Sequence, residues 1–118
     1  MSNYKFNPAP QSKGFPKGEK FNFVESVSYA DGSVVSKILL RNEKGNLTLF
    51  AFDKGEALSE HTAPFDAIVQ VLDGKCEVII DGKSHELVSG ESIIMPANVP
   101  HALNATDKFK MLLIMIKG

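Results

Sequence analysis

The chain has 118 residues, a length that fits one domain with a useful core and leaves no room for a second. Hydrophobic residues make up 43% and charged residues 23%; the net charge of −1 comes with no run of Lys or Arg, which argues against a nucleic-acid footprint or an anionic-membrane binder. No apolar run approaches the roughly 18–20 residues of a membrane span, the opening MSNYKFNPAPQSKG lacks the apolar core of a signal peptide, and the single Cys76 cannot close an internal disulfide, so the cytoplasm is the expected compartment.

Three of the six prolines, Pro8, Pro10 and Pro16, fall within residues 1–20, and with lysines around Gly14 and Gly18 this stretch reads as an irregular arm. Residues 21–118 form the single domain. From Phe21 the texture is one of short apolar segments separated by turn signals. FNFVESVSYA runs into Asp31-Gly32, SVVSKILLR into Lys44-Gly45-Asn46, and LTLFAF follows. A strand is expected through residues 61–71, closing on a turn at Gly74. Then come CEVII, the Asp81-Gly82 turn, SHELV, Gly90, SIIMP and FKMLLIMI. Asp-Gly between β-rich runs is a strong short-range hairpin signal. No amphipathic helix of ten or more residues stands out, and MLLIMI is too short and too uniformly apolar for one, so it reads as a buried strand. About seven to ten short strands at close spacing predict an all-β sandwich or barrel.

Chemistry concentrates at two places. On a strand through 61–71, alternation puts His61, Ala63, Ala67, Val69 and Val71 on one face and Ile68, Gln70 and Leu72 on the other. In GESIIMPANVPHALNA, Pro96 and Pro100 set up a turn with His101 just after it, and His101 can converge on His61 from a neighbouring strand.

These residues resemble the cupins, small antiparallel β-barrels of double-sheet jelly-roll type. The family's first motif is Gly, five residues, His-x-His, three or four residues, Glu, six residues, Gly; Gly55, His61 and Gly74 fall on it. Ala63 stands at its second histidine and Ala67 at its glutamate. The second motif is Gly, five residues, Pro-x-Gly, two residues, His, three residues, Asn; Gly90, Pro96 and His101 match, Asn98 stands for the second Gly and Ala105 for the Asn. The resemblance implies a cupin barrel with one small-molecule ligand at its mouth, and a homodimer. It carries His61 and His101 onto two of the four positions of a metal site. A divalent Fe, Mn, Ni or Zn is therefore expected to be weakly held, completed by water or substrate, or absent. Asp66 is one residue from the glutamate position and, with Glu60, points away by alternation unless a bulge re-aims it.

The two histidines have three readings: ligands of such a metal, a metal-free hydrogen-bonding or acid/base pair, or structural residues. The leading function is a small-molecule-binding cupin in which His61 and His101 contact the ligand directly or across a loosely held metal; the alternatives are a metal-dependent oxygenase or isomerase, a metal-free acid/base isomerase or epimerase, and a scaffold working through its dimer surface. Phe65 and Met95 flank the histidines in sequence and are the residues expected to line a pocket, with Phe50 and Phe52 in the core. Asn98 and Asn104 are read as turn residues, Asn104 also as one that reaches a ligand at the mouth. Cys76 reads as a small core residue, His85 as a surface residue, and Gln70 as a sheet–sheet or dimer contact.

Overall fold

A computed structural model of the chain describes residues 15–117. Eight strands run in chain order: β1 (Val34–Asn42), β2 (Gly45–Phe52), β3 (Ala57–His61), β4 (Ala67–Ile80), β5 (Lys83–Val88), β6 (Ser92–Met95), β7 (His101–Asn104) and β8 (Phe109–Ile116). All pairings are antiparallel. One sheet has the order β1-β2-β8-β4-β6 and the other β5-β4-β7-β3, so the long strand β4 belongs to both. Its first half, to Gly74, pairs with β8 and β6; its second half, from Lys75, pairs with β5 and β7. This is the all-β jelly roll expected. Among the described residues, no helix is long and apolar enough to cross a membrane.

Alternation along the strands builds two apolar layers. Inside, Phe50, Phe52, Val69, Val71, Val78, Phe109 and Met111 meet, and Phe52 stacks on Phe109 with centroids 4.5 Å apart. Burying each of the valines stabilises the fold by roughly 1.5–3 kcal/mol. On the outer side of the first sheet, Leu39, Leu49, Ala51 and Leu112 lie under Val27, with Phe15, Phe23 and Tyr29 packed around them.

The structure corrects the sequence reading in several places. FNFVESVSYA forms no strand; it carries one 3-10 turn, Val24–Ser26, and serves as the cover just described. The Asp31-Gly32 turn therefore joins no hairpin, and Asp53 Oδ2 holds it by accepting the Gly32 N–H at 2.7 Å. The expected strand through 61–71 is broken, since β3 ends at His61 and β4 starts at Ala67. Residues 62–66 form a loop tied to the 96–100 turn: Asn98 N–H donates to Ala63 O at 2.7 Å and Ala97 N–H to Asp66 Oδ1 at 2.8 Å. Gly74 is no turn either. β4 runs through it with a register shift at Val71/Asp73, and its φ of +77° lets the Lys108 carbonyl approach where a Cβ would sit. Asp81-Gly82 does make the β4–β5 hairpin, both residues having positive φ. The arm expected over 1–20 lies mostly outside the described residues, and its described end at Phe15 packs onto the sheet.

Candidate functional site

His61 closes β3 and His101 opens β7, and the two are cross-strand neighbours after a register shift between Leu58 and His61. His61 is exposed, whereas His101 is 5% exposed. Asn98 helps set this up. It takes φ +64°, the left-handed conformation that a short polar side chain tolerates, so the turn between Pro96 and Pro100 can deliver His101 beside His61.

The hydrogen bonds fix the chemistry of the rings. His61 Nδ1 lies 2.7 Å from Ser59 O and His101 Nδ1 lies 3.1 Å from Val99 O. A carbonyl only accepts, so each Nδ1 carries a hydrogen and each neutral ring has a bare Nε2. Those two Nε2 atoms face each other at 3.2 Å. Two lone pairs so placed repel unless a proton, a hydrogen-bond donor or a cation engages them. Burial pushes the His101 pKa below its usual value; the neighbouring His61 lowers it further, and the Val99 carbonyl acts the other way.

Behind the pair lies a cavity of about 60 Å³. Phe65 and Met95 line it, as do Ala63, Ala67, Met111 and Met115. The volume holds one or two waters or an ion and falls well below the roughly 300 Å³ at which pockets for organic ligands begin. Larger hollows of about 300 and 480 Å³ lie on the outer face of the first sheet, one beside Phe21 and Leu40, the other between Ile68 and Ile94. Neither contains an imidazole.

Asn104 does not reach the cavity, which corrects the sequence reading. Alternation along β7 points it outward, where its Nδ2 donates to Glu77 Oε1 at 2.9 Å. That bond and the Ser84 hydroxyl hold the Glu77 carboxyl below its usual range, Ser84 contributing more. Asp66 lies outside the cavity, occupied with Ala97. Gln70 sits half-buried on the outer face, opposite Leu112 and Ser92. Cys76 is fully buried away from the site, and burial pushes its thiol up to about 12, so no thiolate is available near neutrality. His85, expected at the surface, is half-buried on β5 opposite Val78.

The donors present do not make the usual site for a hard divalent ion. No group of three His, Cys, Asp or Glu that could hold a metal occurs among the described residues, and no carboxylate lines the cavity. Sequence reasoning missed Met111 and Met115. Only sheet register brings them to the cavity, with Met95 and Met115 on either side of Ala67.

Comparison with known proteins agrees with the architecture. The cupin domain family matches residues 48–117. A conserved protein of unknown function from Streptococcus pyogenes superposes with a TM-score of 0.85 at 30% identity, covering 100% of this chain and 96% of that one. A cupin 2 conserved barrel domain protein from Leptotrichia buccalis is 48% identical with a TM-score of 0.80; the match covers 82% of this chain and 47% of that one. A cupin superfamily protein from Desulfitobacterium hafniense gives a TM-score of 0.83 at 25% identity, covering 89% and 96%. No match was found among curated proteins.

Proposed function

This chain belongs to the cupin family, and on that premise we propose that it is a ligand-binding cupin whose reduced site is the His61–His101 pair at the barrel mouth. The observation that carries the reading is the pair of Nε2 atoms facing each other at 3.2 Å, with each Nδ1 beside a backbone carbonyl, an arrangement that leaves a neutral ring's Nε2 lone pair free for a ligand. Such a pair suits an electron-poor ligand, either a group that donates a hydrogen bond or a cation. Two imidazoles bound to one ion at about 2.05 Å and a tetrahedral angle stand roughly 3.3 Å apart, close to the spacing here. The exposed edge of His61 leaves the ligand a way in, and an organic molecule meets the pair from the solvent side because the cavity behind is small.

A second reading rests on the same lone pairs. A neutral imidazole pair can take a proton from a bound carbon or oxygen acid and share it between two Nε2 atoms, the role of a general base in an isomerase or epimerase.

Zn(II) and Ni(II) salts probe whether the lone pairs are available. Added to tag-free protein, they are expected to raise the melting temperature of the native chain and of His85→Ala, and to leave His61→Ala and His101→Ala unmoved. An equal response in all four proteins, or none in any, sinks the site.

A further inference from the structure

Apart from Met1, every methionine of the chain lines the cavity behind the histidines. Met95 on β6 and Met115 on β8 are the direct cross-strand partners of Ala67 on β4, one on each side, and Met111 lies four residues before Met115 on β8, opposite Val71. Side chains at facing positions of neighbouring strands start about 4.5–5.5 Å apart, and alanine between two long thioethers leaves the space toward which both can turn. The same cavity is lined by the two imidazoles, whose Nε2 atoms face each other at 3.2 Å.

We propose that this cavity is a site for a soft monovalent metal ion, copper(I), held by His61 Nε2, His101 Nε2 and one or two of the thioethers of Met95, Met111 and Met115. The inference rests on the ligand-binding reading of the histidine pair and names its ligand.

Three arguments converge. The first is donor type: thioether sulfur and imidazole suit Cu(I), while hard divalent ions seek oxygen, which no side chain lining the cavity offers. The second is charge. The cost of moving an ion out of water grows with the square of its charge, so a divalent ion costs about four times as much as a monovalent one in an apolar site without a carboxylate to neutralise it. All five donors are neutral, which suits a single positive charge. The third is size, since about 60 Å³ admits an ion and excludes a sugar or a keto acid. Methionine also fills irregular core gaps without any metal. Packing alone gives no reason for all three to share one cavity with two opposed imidazole lone pairs.

The test is an anaerobic titration of tag-free protein with Cu(I), in competition with a chromogenic Cu(I) chelator, beside a Zn(II) titration. Leucine replaces methionine with little change of volume, so a Met95→Leu/Met115→Leu chain is expected to fold, as a metal-free melt checks. One Cu(I) per chain is expected. Its affinity should fall at least about tenfold in that variant and in each of His61→Ala and His101→Ala. Zn(II), engaged by the imidazoles from the solvent side, should bind more weakly than Cu(I) and be lost only in the histidine variants, and X-ray absorption should show sulfur bonded to copper. Cys76→Ala is expected to bind copper like the native chain. Cu(I) bound equally well without the two methionines, bound only through nitrogen, or lost with Cys76 overturns the copper inference while leaving the histidine site standing. Failure of both ions to bind in a histidine-dependent way removes both.

Discussion

His101 shows what burial does to a group that sequence alone presents as an ordinary imidazole. In an unfolded chain it titrates near 6.5; in the fold, burial and the adjacent His61 move it lower. Between the two values the unfolded state binds more protons, so stability is full above about pH 6.5 and falls as pH drops toward the lower folded value. Metal-free protein is therefore expected to lose urea resistance as pH falls below about 6.5, with a shallower loss in His101→Gln. Equal slopes in the two proteins would remove His101 from the acid response. Motif spacing made both histidines legible. Asn104 misled because a residue three past His101 on a strand points to the opposite face, a fact of alternation that outweighs nearness in sequence.

At the scale of the element, turn residues and apolar runs announced most strands, while the backbone between them did not follow from local pattern. Residues 62–66 leave β pairing because their polar groups bond across to the 96–100 turn, a contact some thirty residues away. Gly74 looked like a turn because glycine often marks one, yet here it serves close approach within a continuous strand. A Cβ at 74 would stand 1.9 Å from Lys108 O, whereas one at Gly82, with nearly the same φ, meets nothing within 4 Å. Gly82→Ala should cost only the left-handed backbone penalty of about 1–2 kcal/mol. Gly74→Ala must also part β4 from β8, and is expected to cost on the order of 4 kcal/mol or more. Urea midpoints of the two variants decide this; equal losses would mean that the approach at Gly74 relaxes freely.

The whole molecule carries one apolar layer inside the barrel and a second outside it, beneath the segment around Phe15, Phe23, Val27 and Tyr29. Counting apolar strands predicts the first layer. The second escaped because FNFVESVSYA has strand-like composition and its partner surface joins Leu39 and Leu49, on the consecutive strands β1 and β2, to Leu112 on the distant β8. Tyr29 pins this cover by donating its hydroxyl to Asp73 Oδ2 at 2.6 Å. A chain beginning at Asp31 is expected to keep its β-sheet circular dichroism, to bind a fluorescent apolar dye strongly and to melt lower than the longer chain. Unchanged dye binding would show that the segment covers nothing of consequence.

β8 lies between β2 and β4 and supplies both with their pairing edge. A ribosome releasing this chain delivers β2 and β4 well before β8, so two strands with free backbone groups and apolar faces must wait, side by side in time but not yet in contact. Pairing between strands distant in sequence is slow, and open edges recruit one another between molecules. For a nascent chain, the hazardous interval ends only when Phe109–Ile116 emerges and slides into the gap. The segment that reads most plainly as core in the sequence is thus also the timer of the fold's biogenesis.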